Sequence, residues 1–438
     1  MRSVAARWLI GASLGFVGAV GPALRTGTAA PSAAPTPAVR RAAAAKALAS
    51  LARGVPRLPD ASGTPRTPFT RCIAGLDFLL AAGPTATGAE VERARRCRDD
   101  VLAWIDATAT RVADLDARPA RPGLFSSDKL IQTTWVLGAA CLFLAEGKAR
   151  GVFGAEAVAG VRRAAALLVD VQARDGGFGH HALAPTGTPD RRPPGLALPT
   201  AAGLAYPLTL ISCTNVAAIG LAAARPYVTG KAAAPFEAAV AAVVAHLEKA
   251  RLDNGNVPYD AGQRSAGADR TGAGRVAGSV AALRMLGGAS ARGLRASEAY
   301  LDAHLADVPE GHGSPALNVF LGALAARLRG GAALAAWDAE VLPRVVARQR
   351  DDGSLACVCT QAAFGVTCDS GDPGALTTVS PTDEAQRTYV TALLLFPLLL
   401  DADDRLRVLR PGKGAPAGAG AAAPATTPSE RAPATEGD

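Results

Sequence analysis

The chain has 438 residues, of which 49% are hydrophobic and only 5% aromatic, and its formal charge is +8. That apolar share excludes a chain disordered throughout, and the shortage of β-branched and aromatic residues excludes a large β fold. The positive charge is spread as single arginines with no basic run, which speaks against a nucleic-acid partner, since such a partner needs a concentrated stripe.

The N-terminus has the order of a secretory signal. Arg2 and Arg7 precede an apolar stretch from Trp8 to Val20, and small residues follow at Thr28-Ala29-Ala30. The stretch is shorter than the ~20 residues of a membrane span. Residues 1–30 are therefore expected to direct export to a secreted or periplasmic location. A membrane contact is expected only if this segment stays uncleaved. Residues 31–62 are rich in Ala, Pro and Ser and read as a linker.

From about residue 65 the pattern is helical. The segments 71–83 and 97–115 form a first helix pair. Later helices fall into two kinds. Segments 130–147, 213–224, 274–286, 314–328 and 386–396 are apolar nearly all round, the mark of a helix buried in a large core. Segments 156–171 and 236–250 are amphipathic. Alternation of the two kinds predicts inner helices around an axis, covered by outer ones.

A repeated turn follows the outer helices. One copy is Gln172-x-x-Asp175-Gly176-Gly177-Phe178, and a second is Gln349-x-x-Asp352-Gly353-Ser354-Leu355. A degenerate third copy runs from Arg251 through Asn254-Gly255-Asn256 to Val257. Gly accepts the left-handed conformation, and Asp or Asn bonds the local backbone. The Gln is expected to bond the backbone of a neighbouring repeat, so these residues read as structural. The largest insert runs from about His180 to Pro207, and residues 411–438 read as a low-complexity tail.

This Gln-x-x-Asp-Gly turn between alternating helices resembles the prenyltransferase and squalene-cyclase repeat. The resemblance spans roughly residues 65–405. It implies an all-α fold, an α/α toroid of about five or six helical hairpins in inner and outer layers. The same ring carries terpene cyclases, protein prenyltransferases and thioester-containing domains, so fold does not choose the chemistry. The prenyltransferases hold zinc with Asp, Cys and His, and no such set stands on the inner helices. The thioester run is absent. Asp401-x-Asp403-Asp404 matches the acidic motif of the cyclases, but it follows the last apolar helix, where solvated charges end a helix. Carbocation cascades also need aromatic walls, and this chain has few. No cofactor and no metal are expected.

Seven cysteines in an exported chain suggest disulfides. Cys72 with Cys97 is one plausible pair, and Cys368 with Cys357 or Cys359 is another. Connectivity cannot be read from spacing.

Ligands of such rings meet the starts of the inner helices, where free N–H groups and partial positive charge lie. The polar residues there are Asp128, Lys129 and Gln132; Thr214 and Asn215; Arg270 and Arg275; His312 and Asn318; and Asp383, Glu384, Arg387 and Tyr389. The catalytic candidates are His312, Asp383, Glu384 and Asp128. The ligand-binding candidates are Gln132, Asn215, Arg275, Asn318, Arg387 and Tyr389. His312 lies between glycines and suits a general base. Each residue also has a plainer reading: Asp128, Asp383 and Ser314 as helix caps, Glu384 paired with Arg387, the asparagines bonded to backbone. The leading expectation is an exported toroid that holds a small molecule, lipid, glycan or peptide centrally without the family's known chemistry. The alternatives are an enzyme on an isoprenoid or other apolar substrate, and an α/α-barrel carbohydrate-active enzyme with Asp128 opposite Asp383 or Glu384.

Overall fold

The computed structural model describes residues 33–59, 66–83, 87–116, 133–173, 175–179, 198–199, 205–206, 209–259, 272–310, 314–358, 384–400 and 406–409. Among these residues the regular structure is helical, apart from a two-residue antiparallel pair, Leu198–Pro199 with Ala205–Tyr206, and a single antiparallel bridge between Gln349 and Leu355. Thirteen α-helices follow in order: α1 (Pro37–Gly54), α2 (Arg66–Ala81), α3 (Ala89–Asp116), α4 (Thr133–Ala149), α5 (Ala155–Val171), α6 (Ile211–Ala224), α7 (Ala233–Ala250), α8 (Ala273–Leu286), α9 (Ala291–Ala303), α10 (Pro315–Arg329), α11 (Gly331–Glu340), α12 (Leu342–Ala347) and α13 (Glu384–Leu399).

Six of them form an inner set. Helix α2 packs on α4, α4 on α6, α6 on α8, α8 on α10, α10 on α13, and α13 returns to α2. The all-round apolarity of these segments thus has its physical cause, since each has neighbours on both flanks. In α4 every residue from Thr133 to Gly147 is buried. The amphipathic helices lie outside: α3 on α2, α5 on α4, α7 on α6, α9 on α8, α11 on α10.

The outer partner of α13 is α1, which corrects the reading of residues 31–62 as a linker. Thr36 caps α1 by accepting from the Val39 N–H, and Pro37 occupies the first turn, where it needs no N–H partner. Ala43, Ala44, Ala47, Leu51 and Gly54 then form one buried stripe. A stripe of alanine carries little hydropathy contrast, so the segment resembles a linker by composition. Its helical spacing is what buries it.

The repeated turns are superimposable in their bonding. Gly176, Gly255 and Gly353 have φ of 85, 85 and 84°. Asp175, Asn254 and Asp352 accept from the amide two residues on, at 3.0, 3.0 and 2.9 Å. Each turn docks on the next outer helix. A Cβ on these glycines would strike the carbonyl of Ala242 in α7, Ala296 in α9 and Lys46 in α1 respectively. Gln172 Nε2 donates to Gly176 O at 2.9 Å and Ala239 O at 3.0 Å, as expected of a residue that pins neighbouring hairpins.

The two ends of the ring differ. Inner helices lead to outer ones through short links, such as Arg150–Gly154 and Gly287–Ser290. Outer helices lead back to inner ones through longer stretches, such as 172–210, 251–272 and 348–383. At the short-link end, buried Glu146 accepts from Arg150 Nε at 2.6 Å and from the amides of Arg407 and Val408 at 3.0 Å each. Arg150 also donates to the carbonyls of Leu79 and Gly83 at the end of α2, so the C-terminal segment is strapped across this end.

Candidate functional site

The long-connection end is where the inner helices begin, and three aromatic rings meet there. Phe69 of α2 stands 6.0 Å, centroid to centroid, from both Trp135 of α4 and Tyr389 of α13. Three helices therefore each contribute one ring near their first turns. Tyr389 Oη lies 3.0 Å from Ser314 Oγ, and Ser314 in turn caps α10 by accepting from Leu317 N. Of these aromatics the polar-residue reading found Tyr389 alone. Phe69 and Trp135 were legible only as aromatics placed just inside helix starts in a chain where aromatics are scarce.

Several expected residues prove to be structural. Thr214 Oγ1 accepts from the Phe178 amide at 3.0 Å and donates to Leu210 O at 2.9 Å, so it ties α6 to the preceding turn. Thr391 plays the same part for Leu355 in α13. Asn215 Nδ2 donates to Arg275 O at 2.9 Å, and its Oδ1 accepts from Ser279 Oγ at 3.0 Å. Arg275 is 1% exposed. Its Nε donates to Val257 O at 3.2 Å and its guanidinium lies 5.9 Å from the Tyr259 ring. That places a buried cation behind the third turn.

The expected pairing of Glu384 with Arg387 is replaced by two other contacts. Glu384 Oε1 meets Arg57 at 2.7 Å, and Arg387 meets Asp352 at 3.8 Å. Both pairs are exposed, because the first turn of α13 faces the end of α1 on one side and the last repeated turn on the other. Asp352 is held below the usual carboxylate range, first by the Ser354 hydroxyl.

Asn318 differs from Asn215. It is 4% exposed, and its Nδ2 has no hydrogen-bond partner among the described residues. Its side chain lies over Gly274 of α8, leaving no room there for a Cβ. Asp77 of α2 is another of the buried side chains with unbonded atoms, and neither of its oxygens is bonded. Burial raises its pKa well above the ordinary value. Nothing in the sequence marked Asp77, which stands in an apolar run.

Asp128, Lys129, Gln132, Arg270, His312 and Asp383 lie outside the described residues, as do Asp401-x-Asp403-Asp404, Cys359, Cys368, the N-terminal signal segment and the tail. The plausible Cys72–Cys97 disulfide is not formed; both residues are buried free thiols, one on α2 and one on α3. Burial pushes the Cys97 thiol up to about 12, and it raises Cys72 and Cys141 as well. No group of three or more metal-ligating side chains occurs among the described residues, and no helix there is long and apolar enough to cross a membrane.

No protein-family model matches the chain, and no curated protein matches it. Solved structures do. The chain is similar to a wild-type glycosidase with a TM-score of 0.50 at 16% identity, over 83% of this chain and 98% of that one. A glycosidase variant in complex with glucose gives 0.50 at 15% identity over the same shares, and another variant 0.51 at 16%. At such identity the likeness is one of fold: an all-helical chain matched to glycosidases along nearly their whole length.

Proposed function

We propose that this chain is a carbohydrate-active enzyme that takes a glycan at the end of the ring where the inner helices begin. The observation that carries the reading is the fold likeness to glycosidases along 98% of their length at a TM-score of 0.50, one of them holding glucose. It favours the carbohydrate reading over a ring without chemistry.

Glycoside hydrolysis needs two carboxyl groups, ~5–5.5 Å apart for retention or ~6.5–9.5 Å for inversion. Glu384 stands at this end, with Arg57 as its partner. Asp128 precedes α4 and Asp383 precedes α13 in the chain. These three are the proposed acid and base set. Export through the N-terminal signal would place the enzyme among extracellular glycans.

The test is hydrolysis of a panel of α- and β-linked glucosides by the purified chain, read as reducing sugar. Activity that disappears in Asp128→Asn or Asp383→Asn supports the reading. Sugar binding without turnover would reduce it to a glycan-binding ring, and neither would refute it.

A second reading, an enzyme on an apolar substrate, draws on Asp77, whose pKa burial raises well above the ordinary carboxylate value and which could serve as an acid. Turnover of an allylic diphosphate or epoxide, lost in Asp77→Asn, would favour it.

A further inference from the structure

Helix α8 carries two glycines one turn apart, Gly274 and Gly278, and each receives an asparagine from a flanking inner helix. Asn215 of α6 lies against Gly278, and Asn318 of α10 lies against Gly274. The two sites are alike in burial and in the space that the missing Cβ leaves. They differ in bonding. Asn215 spends both ends of its amide, on Arg275 O and Ser279 Oγ. Asn318 keeps its Nδ2 without a partner, although the residue is 4% exposed.

A buried amide donor left open is costly, so such groups are nearly always satisfied in the working protein. The position of Asn318 says from which side. Residues four apart share a helix face, and four residues before Asn318 is Ser314, whose hydroxyl meets that of Tyr389. The open amide therefore lies one turn along α10 from the Ser314–Tyr389 pair, with its side chain packed against Gly274 of α8.

Resting on the carbohydrate reading above, we propose that Asn318 is a specificity-determining residue, donating through Nδ2 to a hydroxyl oxygen of the bound sugar. A neutral hydroxyl fits an uncharged donor, and a wholly apolar ligand would leave it unsatisfied. Site selectivity of this kind rejects ligands that lack the acceptor, because the buried donor is then left without a partner.

The test compares Asn318→Leu and Asn318→Ala with Asn215→Leu, in the full chain, by thermal melting without ligand and by calorimetric titration with glucose, maltose and cellobiose. The expected result is that Asn318→Leu keeps or raises the melting temperature while Asn215→Leu lowers it by several degrees. Affinity for the best of the three sugars should fall about 10-fold or more in both Asn318 variants. A melting temperature that falls in Asn318→Leu as far as in Asn215→Leu would show a structural amide and overturn the proposal. Unchanged sugar affinity would overturn it while leaving the carbohydrate reading intact. Failure of the unsubstituted chain to bind any of the three sugars would remove that reading and this inference with it.

Discussion

Gln349 Nε2 donates to the carbonyl of Ala43 over 2.8 Å, a bond between residues 306 positions apart. It does for the last repeated turn what Gln172 does for the first, except that the neighbour it reaches is the chain's first helix. The ring is closed by this seam. Beside it, Gly353 at φ 84° leaves a Cβ position 2.5 Å from Lys46 O.

Closure at this seam predicts a graded loss of stability. Gly353→Ala meets both a left-handed backbone and a carbonyl, and should cost about 2–3 kcal/mol. Gly83→Ala also has positive φ, 65°, but nothing within 4 Å, and should cost about 1 kcal/mol. Gln349→Ala should cost about 1 kcal/mol. Denaturant unfolding of the three variants checks the order.

Much of this architecture is legible in the residues alone. All-round apolar segments and amphipathic ones alternate because the former are flanked on both sides and the latter on one. The turns are legible because Asn-Gly and Asp-Gly pairs have few other uses after a helix. Helix α1 was hidden, since a stripe of alanines differs little in hydropathy from a linker. At the candidate site, Asn318 and Tyr389 were legible as polar residues on apolar helices. Asp77 was not, because burial without a partner is a property of packing. Glu384 and Arg387 were placed correctly at a helix start but matched with each other, whereas their partners come from distant segments.

Asp77 predicts a specific pH dependence. Its folded pKa is raised by burial, so its contribution is fully present below the unfolded value of about 4 and is lost as pH rises through the folded value. Asp77→Leu removes the group and should be more stable than the parent at neutral pH by about 1–3 kcal/mol, with a smaller difference near pH 4. Urea unfolding at pH 4 and pH 7.5 measures both. A parent chain whose stability is greater at pH 7.5 by the Asp77 increment would contradict the assignment.

Glu146 and Arg150 form a buried pair at the opposite end, and the same carboxylate holds the amides of Arg407 and Val408. Glu146→Gln leaves a buried guanidinium without its counter-charge, and should cost about 3–5 kcal/mol. The strap should also loosen. Limited proteolysis followed by mass mapping is expected to cut near residues 400–410 sooner in the variant than in the parent.

The raised thiols predict chemical silence. Cys72, Cys97 and Cys141 are buried and protonated at neutral pH, so peptide mapping after treatment with a thiol reagent should find them unlabelled in the native chain and labelled in denaturant. Recovery of a Cys72–Cys97 disulfide peptide would contradict the buried-thiol arrangement.

The account's central claim is that the ring acts on a glycan at the end where its inner helices begin. The most direct measurement is release of reducing sugar from a panel of glucosides by the parent chain and by an Asp128→Asn variant, with glucose binding followed in parallel. The account predicts turnover by the parent, and its loss in the variant with glucose binding retained. A folded parent that neither cleaves any glucoside nor binds glucose would contradict it.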